Sequence, residues 1–167
     1  NVKVRGNLTA EMDGLPSQGL VALEVDDPQY PMVARTLQTG STPPPGNITI
    51  LVFPCTESGI PHESFPRGGI AYFNVTTTNT GTVAVENIVV TVNAYDNATV
   101  PFGVGSIVIP ILLGLHSAYP VFPVWIPDWT TLGYGRVYAN AFTDFPRNGG
   151  TPYCPEKSAK FQITGTT

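Results

Sequence analysis

Residues 69–95 read GIAYFNVTTTNTGTVAVENIVVTVNAY, and this stretch decides the fold class. Side chains alternate between two faces in its first half, where Ala71 and Phe73 share one parity, and again in residues 87–95. A period of two in β-branched and aromatic residues is typical of half-buried strands. Between the two runs, residues 79–81 (Asn-Thr-Gly) tolerate the positive φ of a tight reversal. The sequence therefore predicts a β-hairpin at the centre of an antiparallel β-sandwich.

The same alternation recurs in short runs along the rest of the chain. Turns rich in Gly and Pro, of which the chain has 17 each, separate these runs, and no segment has a comparable helical pattern. We expect an all-β, immunoglobulin-like β-sandwich of roughly eight or nine strands, with an extended N-terminal strand. The other predicted strands cover residues 19–26, 47–53, 104–113, 119–126, 136–143 and 157–164.

Some strands can be placed in the sandwich from their residue types. Pro120, Pro123 and Pro127 cannot donate to a ladder, so residues 119–126 should lie at a sheet edge or be bulged. Val104–Leu115 is the most apolar segment, and its length and internal proline favour a core strand pair. In the strand after residue 135, small side chains are expected inward and larger ones outward: Val137, Ala139 and Ala141 against Tyr138 and Phe142.

The composition excludes some functions and favours others. Charged residues make up only 12% of the chain, compared with about 25% in ordinary soluble domains. The net charge is −4 without a basic cluster, so we expect no nucleic-acid partner. No apolar run reaches about 18 residues, so we expect no membrane span. The chain begins at Asn1 rather than Met, which favours a secreted protein whose signal peptide has been removed.

The two cysteines, Cys55 and Cys154, lie far apart in the sequence, and neither has the close partners of a metal site. In an exported protein the expected state is a disulfide between them. It would close a loop of about 100 residues and contribute roughly 4–5 kcal/mol in the chain-entropy model. Two buried free thiols are the alternative.

The strongest local motif is the N-glycosylation sequon, Asn-X-Ser/Thr. It begins at Asn7, Asn47, Asn74 and Asn97. Asn7 and Asn74 fall on the polar faces of alternating runs, Asn47 at a strand start and Asn97 in a turn. All four are therefore expected to point to solvent and to carry N-linked glycans. Chance occurrence in an Asn- and Thr-rich chain is the alternative.

The first 13 residues alternate more regularly than any other segment. Every even position is apolar or small, while the odd positions from Lys3 to Glu11 are polar. One interpretation is the first strand of the chain's own sandwich. The other is a donor strand that completes the sheet of a neighbouring subunit, because β-strand addition combines backbone hydrogen bonds with alternate side chains in a groove. The side chains of the donor face are Val2, Val4, Gly6, Leu8, Ala10 and Met12.

Little in the sequence indicates catalysis, and we expect neither an enzyme nor a cofactor. His62 and His116 each stand alone, outside any metalloprotease spacing, and no Gly-x-Ser-x-Gly elbow is present. Glu24, Asp26 and Asp27 offer hard oxygen ligands for calcium, but acidic residues before a proline are also ordinary turn residues. We favour the turn.

Three runs together resemble an immunoglobulin-like module of archaeal cell-surface proteins. They are AYFNVTTTNTG at residues 71–81, NIVVTV at residues 87–92 and GRVYANA at residues 135–141, and the likeness covers residues 69–164. With the regular first strand and the sequons, the chain resembles subunits of archaeal extracellular thread-type filaments.

That resemblance implies a division into a donor strand at residues 1–13 and a sandwich head at residues 14–167. It also implies a homopolymer of identical subunits, coated with N-linked glycans, at the cell surface. Its function would be adhesion or cell–cell contact. The resemblance identifies no residue of the acceptor groove.

Three other functions stay open. A carbohydrate-binding or adhesion module would use exposed aromatic residues, whereas the plainer interpretation places them in the core or under sugars. A calcium-assembled tubule subunit and a secreted hydrolase, or its accessory domain, are the others. The aromatic candidates are Trp125, Trp129, Tyr134 and Tyr138.

Overall fold

The computed structural model describes residues 19–27, 30–39 and 47–166, and these form an almost purely β structure. One 3₁₀ turn, Pro146–Asn148, is the only helical element among them. The strands are β1 Gly19–Asp27, β2 Tyr30–Thr39, β3 Ile48–Cys55, β4 Ser64–Pro66, β5 Ile70–Asn79, β6 Val85–Tyr95, β7 Pro101–Leu112, β8 Ser117–Ala118, β9 Val121–Trp125, β10 Gly133–Phe142 and β11 Lys157–Thr164. The all-β prediction is confirmed.

Two sheets pack face to face around one apolar core. The larger sheet has the strand order β4-β11-β10-β6-β7, and in the smaller sheet β5 lies between β3 and the short strands β8 and β9. Neighbours in both sheets are antiparallel except β4 and β11. Phe73 of the smaller sheet and Phe161 of the larger one meet edge to face, with ring centroids 5.1 Å apart. The chain is therefore an immunoglobulin-like β-sandwich, as the sequence predicts.

The predicted central hairpin is wrong, although both of its strands exist. β5 and β6 belong to different sheets, and residues 80–84 carry the chain across the sandwich. The buried amide of Asn79 organises this crossing: its Nδ2 donates to the carbonyls of Val83 (2.8 Å) and Leu112 (3.0 Å), and its Oδ1 accepts from the N–H of Gly81 (3.0 Å). The same residues suit a hairpin turn, and both strands present an apolar face to one core, so the alternation did not reveal the pairing.

β1 and β2 form a separate hairpin that packs on the outer face of the larger sheet. Ala34 of β2 makes the key polar contacts. Its N–H donates to Oδ1 of Asn93 (3.2 Å), and its carbonyl accepts from Nδ2 of Asn93 (2.8 Å) and of Asn140 (3.2 Å). β2 has no clear alternation in the sequence, because hydrogen bonds of the Ala34 backbone, rather than an apolar stripe, hold it on the larger sheet.

This third layer corrects the expectation for Phe142. Phe142 does lie on the outer face of β10, but it is fully buried because Ala34 covers it. With Val89 it forms a small second core beneath the hairpin. The inward positions Val137, Ala139 and Ala141 are all fully buried, as predicted.

The apolar segment at Val104–Leu115 is not a core strand pair. Most of it belongs to β7, a single strand of 12 residues at the end of the larger sheet. Pro110 lies inside this strand and does not divide it. The prediction for the proline-rich segment is confirmed, because β9 pairs with β5 on one side and is an edge strand of the described part of the smaller sheet.

The predicted disulfide is also wrong, since Cys55 and Cys154 are both buried free thiols. The Cys154 thiol lies within hydrogen-bonding reach of the backbone of Ile50, whereas the Cys55 thiol lies within reach of the backbone of Asn74. Burial raises the pKa of Cys154 to about 11, although nearby Lys157 acts in the opposite direction. Both thiols are therefore protonated and poorly nucleophilic at neutral pH.

The proposed donor strand at residues 1–13 lies outside the described residues, as does the predicted boundary with the head at residue 14. The same is true of Asn7. Within the described ranges, no helix is long and apolar enough to cross a membrane.

Candidate functional site

Two long strands, β3 and β7, lie at sheet edges in the described part of the chain, and β7 is the longer one with more exposed apolar side chains. β7 pairs with β6 along almost its whole length, from Pro101 opposite Tyr95 to Leu112 opposite Val85. No described strand pairs with its other side, which we call the β7 edge. An edge of this length presents unpaired backbone donors and acceptors to any strand that can align with it.

The β7 edge also carries apolar side chains that the monomer leaves in solvent. Val104 and Val108 stand opposite Asn93 and Val89 and so lie on the outer face of the sheet. Ile107 stands opposite the buried Val90 and faces the inside of the sandwich, yet it is 43% exposed. Exposed apolar side chains therefore flank this backbone on both sides. The exposed set, each member 41% to 53% exposed, is Val104, Ile107, Val108 and Ile111 of β7 and Leu113 directly after it.

The inner face of β7 is covered over only part of its length. A Cβ at Gly103 would overlap Val124 of β9, and one at Gly105 would press on Phe122. β9 therefore packs directly on this glycine-containing first half. Beyond it the neighbouring strand is β8, which has only two residues, and Ile107 is 43% exposed, while Ile109 and Leu112 further along β7 are buried in the core. Ile107 is therefore a partly exposed apolar side chain next to the free edge.

A second candidate is a cleft of about 470 Å³ on the outer face of the larger sheet. It lies between the β1–β2 hairpin, the loop after β6, the first half of β10, and β11. We call it the outer cleft. Its main side chains are Arg35, Tyr95, Tyr134, Arg136, Tyr138 and Lys160, with Asp96, Asn97 and Thr99 in the loop wall.

Arg35 fixes one side of the outer cleft. Its Nε and Nη2 donate to the two carboxylate oxygens of Glu156 at 2.5 Å and 2.7 Å, and its Nη1 donates to the hydroxyl of Tyr95 at 3.2 Å. The guanidinium lies 3.7 Å from the ring centroid of Tyr138, which meets Tyr95 edge to face. Burial alone would lower the pKa of Arg35, but the hydrogen bonds and charge of Glu156 outweigh it, and the pKa is raised above its ordinary value. Arg35 is thus a permanent, well-oriented cation.

The sequons fall in different environments. Asn47 and Asn97 are exposed, and Asn97 lies at the rim of the outer cleft. The expectation that Asn74 points to solvent is wrong: it is buried, its Oδ1 accepts from the Thr76 hydroxyl (3.0 Å), and its Nδ2 is 3.5 Å from the carbonyl of Tyr119. The chain at Tyr119, just before β9, lies against the Asn74 side chain, and a single strand viewed alone does not show this contact.

The acidic and histidine candidates are not assembled into a site. The Glu24 carboxylate accepts from the backbone N–H of Arg147 at 2.7 Å and lies 3.5 Å from its guanidinium. The side chains of Asp26 and Asp27 are outside the described part. Within that part, no group of three metal-ligating side chains exists, and His62 contacts Phe65 through an edge-to-face ring contact.

The four aromatic candidates divide into two groups. Tyr134 and Tyr138 lie on the same face of β10 and both line the outer cleft, while Trp125 and Trp129 are exposed elsewhere. Arg35, Arg136 and Lys160 were not singled out from the sequence. The usable signal was that Tyr134, Arg136 and Tyr138 share one parity on a single strand.

No family model and no curated protein matches the chain. The chain is similar to the CARDB domain of a Pyrococcus furiosus protein, solved in complex with di-metal ions, with 16% identity and a TM-score of 0.45 over 77% of this chain and 95% of that one. A solution structure of that CARDB domain gives 17% identity and a TM-score of 0.42, over 72% and 94%. The Pseudomonas fluorescens alkylpurine DNA glycosylase AlkC, bound to DNA with an abasic site analog, gives 14% and 0.47 over 71% of this chain, which spans only 30% of that enzyme. Likeness at this level carries no information about ligands or partners.

Proposed function

We propose that the chain is the structural subunit of an extracellular, glycosylated filament that assembles head to tail by donor-strand complementation. Residues 1–13 of one subunit add to the β7 edge of the next. The filament serves adhesion or cell–cell contact and performs no catalysis. The observation that carries the proposal is the β7 edge, a 12-residue free edge lined with exposed apolar side chains.

The length of the leader matches the length of this edge. Twelve residues of β7 span about 40 Å at 3.3 Å per residue, and the 13 alternating residues of the leader span about the same length. One strand can therefore pair with this edge through backbone hydrogen bonds, except at Pro101 and Pro110, which have no N–H to donate. A shorter strand would leave part of the edge open to further pairing.

The chemistry of the two surfaces also matches. The leader has an apolar face with Val2, Val4 and Leu8, and a polar face with Lys3 and Arg5. Its apolar face can cover the exposed side of Ile107 while its polar face remains in solvent. Burying the half-exposed side chains of the β7 edge would contribute at most about 4–7 kcal/mol. A micromolar dissociation constant corresponds to about 8 kcal/mol, so backbone hydrogen bonds between the two strands must supply the remainder and offset the cost of association.

The geometry of this contact leads to a fibre. The leader and the β7 edge are different surfaces of one molecule, so each subunit both donates and accepts. A heterologous contact whose rotation does not close generates an open filament. Exposed Asn47 and Asn97, together with the low content of charged residues, support an extracellular, glycan-coated surface.

Deletion of residues 1–13 tests the proposal. We expect filaments of the full chain in negative-stain micrographs and only folded monomers of the shortened chain. A synthetic peptide of residues 1–13 should bind the shortened chain and slow amide hydrogen exchange in Pro101–Leu112. A peptide with Val4→Asp and Leu8→Asp is the matched control and should do neither, because the charged side chains cannot enter an apolar groove.

Three results would count against the proposal. Filaments formed by the shortened chain would exclude the leader as donor. A full chain that remains monomeric, with its leader protected from protease, would show that the leader completes its own sandwich. Assembly that requires calcium and disappears with EDTA would favour the tubule subunit instead.

A further inference from the structure

The outer cleft holds two cations that have no acidic partner among the described residues. Arg136 on β10 and Lys160 on β11 stand directly opposite each other in the antiparallel register. The ion pairs in the described part are Arg35 with Glu156 and Arg147 with Glu24, and neither includes them. Like charges at directly opposed positions destabilise a sheet. The two residues concentrate positive charge in a protein of net charge −4, and a bound anion would reduce the repulsion between them.

Two other charged side chains line the cleft, Arg35 and Asp96, and neither forms an ion pair with Arg136 or Lys160. Arg35 is compensated by Glu156 and remains a donor at the wall of the cleft. The carboxylate of Asp96 is buried, where it accepts from the N–H groups of Ala98 (2.9 Å), Val100 (2.9 Å) and Thr131 (2.8 Å). Arg136 donates from Nη1 to the hydroxyl of Ser158 at 3.1 Å, which leaves other guanidinium donors for a ligand.

An aromatic surface lies beside these cations. Tyr134, Arg136 and Tyr138 are at alternate positions of β10 and so project from the same face. Tyr134 is 65% exposed, while Tyr138 is held beneath Arg35. A planar apolar ring next to two cations suits a ligand with a flat apolar face and an acidic group at its edge.

We infer that the outer cleft binds a saccharide that carries a carboxylate group. The carboxylate lies between Arg136 and Lys160, and the sugar ring stacks on Tyr134. Hydroxyl groups of the sugar meet polar side chains of the wall, among them Thr99 and Asn97. A volume of about 470 Å³ is within the usual range for small-ligand sites.

The structure favours a carboxylate over a nucleotide phosphate. Phosphate sites rely on clustered backbone N–H groups at a helix N-terminus or a glycine-rich loop. In the loop beside this cleft, the N–H groups of Ala98 and Val100 already donate to Asp96. Arginine and lysine side chains remain, and these bind carboxylate and phosphate alike, so the lack of available backbone N–H groups in this loop is what disfavours a nucleotide.

Binding of trigalacturonate to glycan-free recombinant protein tests the inference, measured by calorimetry at low salt. We expect saturable binding that weakens as salt is added, and no binding of the neutral maltotriose. Lys160→Ala and Tyr134→Ala should each weaken binding about tenfold, because each removes one of the two kinds of contact. Lys157→Ala, on the same strand but outside the cleft, and Trp129→Ala, another exposed aromatic outside it, are the matched controls and should leave affinity unchanged.

The outcomes separate the possible ligands. Absence of trigalacturonate binding would overturn the inference, as would tighter binding of ADP. Equal binding of inorganic sulfate, with no effect of Tyr134→Ala, would reduce the cleft to an unspecific anion site and also overturn it. Circular dichroism of each variant confirms that it is folded.

The acidic sugar has two possible sources, an external polysaccharide or a glycan attached to Asn97 at the rim. Protein purified with its glycans and the same protein after enzymatic removal of its N-linked glycans distinguish them. Tighter trigalacturonate binding by the deglycosylated protein would show that the attached glycan occupies the cleft. Equal affinity would assign the site to an external ligand.

Discussion

The sandwich ends in two long edges, β3 in the smaller sheet and β7 in the larger one, and they differ in what they expose. β3 buries most of its side chains and leaves one large apolar residue, Leu51, in solvent. It packs over β10 and β11, and the loop with Cys154 lies against Ile50. β7 has a similar pairing on one side only, yet its exposed apolar side chains are spread along the strand. The difference indicates that β3 can remain at an edge without a partner, whereas β7 leaves apolar side chains that a partner strand would cover.

The largest expected effect is on assembly. We predict that the double variant Ile107→Lys, Ile111→Lys raises the concentration needed for filament formation by about a hundredfold or more. The reason is that two charges would be buried at the interface between the leader and the β7 edge. The monomer should stay folded, since both side chains are already about half exposed. Leu51→Lys on β3 is the matched control and should assemble normally, as measured by sedimentation and negative-stain microscopy. If instead Leu51→Lys blocks assembly and the β7 variant does not, β3 is the acceptor.

The next effect concerns the stability of the isolated head. Ile50 of β3 is 5% exposed, whereas Ile107 of β7 is 43% exposed. We predict that Ile50→Ala lowers the free energy of unfolding by about 3 kcal/mol and Ile107→Ala by about 1 kcal/mol, because only the first change leaves a cavity in a packed core. Denaturant unfolding of chains that lack residues 1–13 measures both. Equal losses would mean that Ile107 is as deeply buried in solution as Ile50.

The sequence predicted the strands well because alternation reports which face of a strand is buried. Alternation located β5, β6 and β10, and the proline residues indicated the edge position of β9. Alternation does not report which strands are neighbours, so the crossing at Asn79 was interpreted as a hairpin turn. The prediction of a sandwich also assumes two layers, whereas the β1–β2 hairpin adds a third. This layer buries Phe142 and is held by hydrogen bonds between the backbone of Ala34 and the side chain of Asn93.

The candidate sites were harder to predict for the same reason. Large apolar side chains of both parities in β7, such as Ile107 and Val108, are typical of the core strand pair that the sequence predicts here. In the structure they are a free edge, which has exposed apolar residues on both faces. The cation pair of the outer cleft depends on the register of Arg136 with Lys160, and no pattern within either strand encodes that register.

The smallest expected effect concerns the protonated thiol of Cys154, which lies against Ile50 of β3. Burial raises the pKa of Cys154 from 9.0 to about 11, so between these values the folded chain keeps a proton that the unfolded chain has lost. Stability that is fully present below about pH 9 is therefore lost as the pH rises, by roughly 2–3 kcal/mol at about pH 11. Urea unfolding of the reduced protein at several pH values measures this loss, and Cys154→Ala should show a shallower pH dependence. Identical pH dependence in the two proteins, or failure of a thiol reagent to detect two free cysteines after unfolding without reductant, would mean that Cys154 is not the buried free thiol that lies against Ile50.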